Sequence, residues 1–168
     1  MRLTFKQIWN HYPDDDNPCT TMGKSNFANQ CAIRVGVALT RSGVSTTTLR
    51  GVTHCWQHPK REGHVLRASE LASALMRAQI DGLGRAQTLG AKDFKTQLAG
   101  KTGIIFFRDY WQRSRDRDGA PTGDHIDLWN QSRLTDWSSW IRVQLGIVMP
   151  GFWSDLEKAK SITFWEVK

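Results

Sequence analysis

This 168-residue sequence lacks the long hydrophobic run that a membrane-spanning helix requires. Such a helix needs roughly 18 or more consecutive apolar residues, and no segment approaches that length. The first residues, MRLTFKQIWNHYP, also lack the apolar centre of a secretory signal peptide. We therefore expect no membrane insertion and no Sec-type export, and action outside the cytoplasm would need another delivery route.

Blocks of like charge are also missing, although the formal net charge is +7 and the isoelectric point is near 9.7. A basic surface favours polyanions such as nucleic acids, anionic lipids or an acidic cell wall. Because the basic residues are scattered and form no recognised binding motif, nucleic acid is not the expected partner. The chain length and the 39% hydrophobic content predict one globular domain over residues 1–168.

Cysteine is scarce, with only Cys19, Cys31 and Cys55 in the chain. An odd number leaves at least one thiol unpaired. A Cys19–Cys55 disulfide with Cys31 free and reactive is one arrangement, and three reduced thiols are the other. Connectivity cannot be deduced from sequence alone, so both remain open.

Helical patterns come first along the chain and strand patterns follow. Apolar spacing predicts helices over residues 3–10, 26–40, 69–80 and 91–98. Apolar or alternating segments predict strands over 103–111, 124–130, part of 137–148 and 161–167. This order indicates an α+β fold in which N-terminal helices pack on a mainly antiparallel β-sheet.

A cysteine near the start of the most apolar helix is the clearest chemical signal. Cys31 lies in NQCAIRVGVAL, within the first turns of the helix predicted for residues 26–40. The partial positive charge and free N–H groups of a helix N-terminus favour a thiolate, the nucleophilic form of cysteine. The backbone N–H of Cys31 and the adjacent Gln30 side chain are candidate oxyanion donors, and Gln30 is a candidate substrate-binding residue.

A histidine and two carboxylates follow in the strand region. His125 begins the alternating part of GDHIDLWN, and Asp127 shares its face about 7 Å along the strand. A turn at Asn130 and Gln131 would place Asp136 opposite His125, with Cβ atoms about 5 Å apart. We therefore predict that Asp136 orients the imidazole and that Asp127 binds substrate or supports the site.

Each of these residues also has a structural interpretation. A cysteine on an apolar helix is more often a packing residue, and a histidine at a strand start is more often structural or on the surface. Spacing alone therefore does not establish a Cys-His-Asp triad.

The strings NQCAIR and GDHIDLWN, with GKTGIIFF before the second and LTDW after it, resemble the type VI secretion amidase effectors of family 4. The resemblance extends from the N-terminal helix to the last strand and implies a papain-like cysteine peptidase fold. It implies Cys31 as nucleophile, His125 as the histidine and Asp136 as the third residue. The turn differs, because Gln131 follows Asn130 where Asn-Gly would favour a tight hairpin.

The resemblance also implies a biological setting. Family members cut peptidoglycan at the amide between the γ-carboxyl of D-glutamate and meso-diaminopimelate, without a cofactor. They are made in the bacterial cytoplasm without a signal peptide, exported by the type VI secretion apparatus and delivered to the periplasm of a target cell. A cognate immunity protein blocks the active site in the producing lineage. Other papain-like activities remain alternatives, namely a protease, deamidase or transamidase acting on protein, as does a small basic nucleic-acid-binding protein.

Two further segments have weaker signals. His54, Cys55 and His58 form an HCxxH cluster, with His64 and Cys19 as additional ligands, but this spacing matches no standard zinc pattern. We therefore expect no metal and a loop with a structural cysteine. Residues 112–123 mix Arg with Asp directly before the predicted histidine, so this loop is expected at the rim of the site.

Overall fold

A computed structural model of the chain describes residues 2–14, 17–111, 123–135 and 158–168. Short 3₁₀ turns cover Thr46–Thr48 and Lys60–Glu62. The helices and strands, numbered in chain order, are α1 Phe5–Asn10, β1 Thr20–Thr21, β2 Lys24–Ser25, α2 Cys31–Arg41, α3 Ala68–Arg77, β3 Gln87–Leu89, α4 Phe94–Gln97, β4 Thr102–Trp111, β5 Gly123–Asn130, β6 Arg133–Leu134 and β7 Ser161–Glu166.

Five strands form one antiparallel sheet in the order β3-β7-β4-β5-β6, and β1 pairs with β2 in a separate hairpin. Helices α2 and α3 pack against strand β5. The predicted α+β class with a mainly antiparallel sheet is confirmed. Among the residues described, no helix has the length and apolar character needed to cross a bilayer.

The alternation of β5 divides the apolar side chains between two cores. Ile126 and Leu128 join the core formed with α1, α2 and α3. Trp129 joins a second core with Phe94 and Phe107, and its indole N–H donates to the Leu98 carbonyl at 3.0 Å. This two-sided burial fixes the register of β5, since a shift of one residue would exchange the two faces.

Helix α2 starts at Cys31, five residues later than the start predicted from apolar spacing. The chain before it is held by side-chain bonds, because Ser25 Oγ donates to the Phe27 carbonyl at 2.7 Å and Gln30 bonds the same carbonyl at 3.3 Å. The helix ends at Arg41, one residue beyond the predicted end at residue 40, and is followed by Ser42 and by Gly43 at φ +88°. Cys31 is therefore the first residue of the helix.

The turn between β5 and β6 lies one residue later than predicted. Asn130 pairs with Arg133 across a two-residue turn of Gln131 and Ser132, and Gln131 has φ +60°. The Gln131 N–H donates to the Lys101 carbonyl at 2.8 Å, so the segment just before β4 fixes this turn. The predicted turn at Asn130 and Gln131 is wrong because this tertiary contact outweighs local turn preference.

Several predictions fall outside the described residues. They are the third residue Asp136, the strand within 137–148 and nearly all of the charged loop at 112–123.

Candidate active site

Cys31 lies at the N-terminus of α2, the helix that packs against β5. The residue is buried, with 4% of its surface exposed. Its backbone N–H donates to Asn29 Oδ1 at 3.0 Å, which satisfies one of the free donors of the first helical turn. The nucleophile predicted from sequence is therefore on a helix start, where the helix dipole favours negative charge.

His125 faces this thiol from strand β5. The Cys31 side chain lies close enough to the His125 imidazole to raise its pKa, although the two residues are 94 positions apart in the sequence. The ring also stacks against Phe107, with centroids 6.3 Å apart and planes 28° apart. The structure thus brings together the two residues on which the predicted chemistry depends.

The surroundings of His125 favour its charged form. Burial alone would lower its pKa, but the hydrogen bond with Asp127 and the interaction with Cys31 outweigh that effect. The net result raises the pKa of His125 to about 10. An imidazolium is therefore the stable form of this ring at neutral pH.

Asp127 lies closer to His125 than the strand spacing predicted. Its Oδ2 is 3.4 Å from His125 Nε2, because the two side chains lean toward each other along the strand. Its Oδ1 accepts hydrogen bonds from the Leu128 N–H at 2.7 Å and from the Thr135 hydroxyl. A charge-assisted bond is normally about 2.7–2.9 Å long, so the contact with His125 is loose.

Tyr12 and Thr135 are site residues that sequence reasoning missed. The Tyr12 hydroxyl bonds Thr135, and its pKa is raised well above its usual value by burial first and by the Asp127 charge second. Thr135 belongs to the LTDW string, which could have indicated its place beside the site. Tyr12 follows the short first helix, and no sequence signal connected it with residues more than 100 positions away.

Gln30 is fully buried, and its side chain holds the loop before α2. Its Oε1 accepts from the Cys19 N–H at 2.9 Å, and its Nε2 donates to the Cys19 carbonyl at 3.0 Å and to Ser25 Oγ at 2.8 Å. This pattern favours a structural role. The predicted contact with substrate stays a prediction.

A second thiol–imidazole cluster lies on the loops beside this helix. Cys19 Sγ is 3.4 Å from Cys55 Sγ, and both sulfurs lie near His58 Nδ1, at 3.5 and 3.6 Å. Cys19 is fully buried, and burial is the main cause that raises the pKa of its thiol to about 11. Cys19 is therefore a neutral thiol at neutral pH, which makes it a poor nucleophile.

Helices packed on one antiparallel sheet, with the start of the central helix facing a strand-borne histidine, define the papain-like class of α+β proteins. The family model described as type VI secretion system (T6SS), amidase effector protein 4 (Tae4), matches residues 27–165. The chain belongs to this family, so the resemblance seen in its sequence is confirmed. The protein is an antibacterial T6SS amidase effector, an enzyme that acts on peptidoglycan and is delivered to target cells.

Solved structures agree with this assignment at the level of the fold. Tae4 from Enterobacter cloacae superposes with a TM-score of 0.66 at 18% identity, covering 100% of this chain and 98% of that chain. Two structures of the Tae4/Tai4 effector–immunity system from Salmonella typhimurium, one a selenomethionine variant, give TM-scores of 0.58 and 0.56 at 16% and 15% identity. Both cover 100% of each chain. A search of curated proteins found no match.

Proposed function

We propose that this protein hydrolyses the peptide stems of peptidoglycan at the γ-D-glutamyl–meso-diaminopimelate amide, through an acyl-enzyme on Cys31. The observation that carries the proposal is the proximity of Cys31, at the start of α2, to His125 on β5, the strand against which α2 packs. A thiol beside a charged imidazole, at a helix N-terminus, is the environment that activates a cysteine for attack on an amide.

The reaction has two halves. Cys31 Sγ, as a thiolate, attacks the γ-glutamyl carbonyl carbon, and the imidazolium of His125 gives its proton to the departing amine of diaminopimelate. Neutral His125 then takes a proton from water, whose oxygen attacks the thioester and releases the γ-carboxylate. With Asp127 at Nε2, Nδ1 of His125 is the nitrogen that exchanges protons with the sulfur, the amine and the water.

Backbone donors at the start of α2 hold the oxyanion that forms in each half. The Cys31 N–H points to Asn29 Oδ1 in the free protein. Substrate binding therefore has to replace this acceptor with the developing oxyanion, which is charged and accepts a stronger hydrogen bond.

Two carboxylates have different tasks in this mechanism. Asp136, assigned by the family motif, orients the imidazole and stabilises its charge. Asp127 positions the ring from the adjacent place on β5, since its contact with His125 is long and its other oxygen is occupied by Leu128 and Thr135. Asp127 also borders the predicted substrate site.

Digestion of purified sacculi tests the reaction. Mass analysis of the muropeptides released by the wild-type chain should show stems cut between glutamate and diaminopimelate. Cys31→Ala should release none while keeping the wild-type circular dichroism spectrum and melting temperature. Normal product release by Cys31→Ala, or cleavage at another bond, would contradict the proposal.

The two carboxylates can be separated by substitution. Asp136→Ala should reduce kcat far more than Asp127→Ala, because it removes the group that fixes the ring in the productive orientation. If Asp127→Ala instead reduces kcat more than Asp136→Ala, Asp127 is the residue that orients the ring.

The Salmonella relatives are described as an effector–immunity system. By analogy, this effector is made in the cytoplasm, exported through the type VI apparatus to the periplasm of a rival, and blocked at its active site by a cognate immunity protein. Co-expression of the cognate immunity protein should protect cells that receive a periplasm-targeted wild-type chain. If the immunity protein protects these cells but leaves sacculus digestion by the purified effector unchanged, it does not act by blocking the active site.

A further inference from the structure

Cys19, His58 and His64 offer ligand atoms within 4.8 Å of one another where two loops pack beside the start of α2, and Cys55 lies next to Cys19 and His58. Cys19 comes from the loop before hairpin β1–β2, and Cys55, His58 and His64 come from the segment between α2 and α3. Cys19, Cys55 and His64 are buried, and a ligand atom of His64 lies within 4.8 Å of those of Cys19 and His58. None of these residues belongs to the mechanism above.

The separations among the ligand atoms of Cys19, Cys55 and His58 suit a tetrahedral zinc ion. With Zn–S near 2.3 Å and Zn–N near 2.0 Å, tetrahedral ligands lie about 3.8 Å apart for two sulfurs and about 3.5 Å apart for sulfur and nitrogen. The observed values are 3.4 Å between the sulfurs and 3.5 and 3.6 Å from each sulfur to His58 Nδ1. Metal binding would separate the sulfurs by only about 0.4 Å.

A disulfide fits the same atoms less well. Its S–S length of about 2.05 Å requires the two sulfurs to approach by more than about 1 Å. It would also leave the contacts from both sulfurs to His58 unexplained. The geometry therefore favours a shared metal over a bond between Cys19 and Cys55.

The groups that contact the two sulfurs from outside the cluster are also those expected around metal-bound thiolates. Asn26 Nδ2 donates to Cys19 Sγ at 3.5 Å, and the Gln57 N–H donates to Cys55 Sγ at 3.4 Å. Such N–H donors stabilise negative charge on sulfur. Each sulfur thus has an N–H donor that would stabilise the thiolate formed when a metal ion displaces the thiol proton.

His64 supplies an independent observation. Its Nδ1 is buried and has no hydrogen-bond partner, while its Nε2 lies 3.8 Å from Glu62 Oε2. Metal-binding histidines commonly direct one nitrogen to the ion and the other to a carboxylate. An unpartnered buried nitrogen is otherwise unfavourable, so a ligand at Nδ1 accounts for its position.

We propose that Cys19, Cys55, His58 and His64 bind one structural Zn²⁺ ion that joins the two loops. The ion also acts on the start of α2 indirectly, because the backbone N–H and carbonyl of Cys19 are both held by Gln30, the residue before Cys31. The site is separate from the amidase chemistry, and its failure would leave the proposed reaction untouched.

Metal analysis of the full-length chain tests this site. The untagged protein, kept reduced and dialysed against Zn²⁺, should retain one zinc per chain by elemental analysis and native mass spectrometry. Replacement with Co²⁺ should give visible bands of tetrahedral cobalt and thiolate-to-cobalt charge-transfer bands. A wild-type chain that retains no metal, or that forms a Cys19–Cys55 disulfide under these reducing conditions, would overturn the proposal.

Variants locate the ion. Cys31→Ala should keep the full metal content and the cobalt spectrum, which distinguishes this site from adventitious metal on the catalytic thiol. His58→Ala should lose at least tenfold in zinc affinity. His54→Ala is the matched control, since His54 lies on the same segment but bonds Thr46 Oγ1 at 3.0 Å. Loss of metal in Cys31→Ala, or equal retention in the two histidine variants, would refute the assignment.

Discussion

The molecule places thiols beside imidazoles twice, and the two places differ in every feature that decides reactivity. At the first, Cys31 begins a helix, and a single sulfur faces a histidine backed by a buried carboxylate. At the second, Cys19 lies on a loop next to another sulfur, and both sulfurs contact His58. The same functional groups thus suit nucleophilic attack in one place and metal binding in the other.

Charge explains the contrast. Asp127 and Cys31 raise the pKa of His125 to about 10, so the ring keeps a proton for a leaving group. Around His64, burial first and the charge of His58 second lower the pKa, which leaves a neutral nitrogen lone pair. Protonated histidine serves as a general acid, whereas neutral histidine serves as a metal ligand.

The largest expected effect comes from exchanging sulfur for oxygen at the first site. Cys31→Ser should reduce sacculus digestion by roughly a thousandfold or more, because a neutral hydroxyl is a far weaker nucleophile than a thiolate. Its thermal unfolding should match the wild type. If Cys31→Ser retains its activity, the first site does not depend on a cysteine nucleophile, and the proposed chemical difference between the two sites is wrong.

The same exchange at the second site should affect stability instead. Cys19→Ser should lower the free energy of unfolding by about 4 kcal/mol, the size associated with losing a metal site. The kcat of the folded fraction should stay within a few-fold of the wild type. Denaturant unfolding followed by tryptophan fluorescence measures the first quantity, and an unchanged midpoint would show that the cluster contributes nothing to stability.

Gln30 connects the two regions, and its removal should weaken both. Gln30→Ala leaves the buried Cys19 N–H without its partner and removes one of the two donors to the Cys19 carbonyl, which keeps the Asn26 N–H; an unsatisfied buried group of this kind should cost about 1–3 kcal/mol. Zinc content should fall in parallel with stability. Gln30→Glu is a useful control, since its carboxylate can still accept from the Cys19 N–H but cannot donate to the carbonyl; stability equal to the wild type in both variants would contradict the proposed connection.

Local patterns in the sequence were sufficient for most elements and for the catalytic pair. The apolar faces of α1, α2 and β5, and the helix stop at Ser42 and Gly43, depend on neighbours within a few residues. Cys31 and His125 were predicted because a helix start and an alternating strand are visible in the sequence. Family resemblance then indicated that the two elements meet.

Features set by distant contacts were missed. The turn at Gln131 and Ser132 depends on a hydrogen bond to Lys101, about 30 residues earlier in the chain and just before β4. The residues of the cluster of Cys19 with Cys55 and His58 were noted in the sequence, but they lie 36 and 39 positions apart and match no standard ligand spacing, so their close approach was not predicted. The close approach of the Asp127 and His125 side chains was also not predicted, since strand spacing gave about 7 Å and the observed contact is 3.4 Å.

The pH profile tests the electrostatics of the first site. Deprotonation of His125 removes the proton that the leaving amine needs, so kcat/KM should fall as pH rises through about 10, not near 6.5. Asp127→Asn removes a charge that raises this pKa, so the alkaline limb should move about one to two units toward lower pH. Circular dichroism over the same range separates titration from unfolding, and an unmoved limb would mean that Asp127 does not support the charge on His125.

The smallest expected effect concerns Asn29, whose Oδ1 accepts the Cys31 N–H in the free protein. Asn29→Ala should destabilise the chain by about 1 kcal/mol, the usual cost of removing a helix-capping side chain. Its kcat/KM should not fall, because the N–H is released for the oxyanion. Asn29→Asp provides the comparison, since its fixed negative charge would compete with the oxyanion and lower kcat. Steady-state kinetics on sacculi measures these effects. A large loss of activity in Asn29→Ala would show instead that Asn29 positions the thiol.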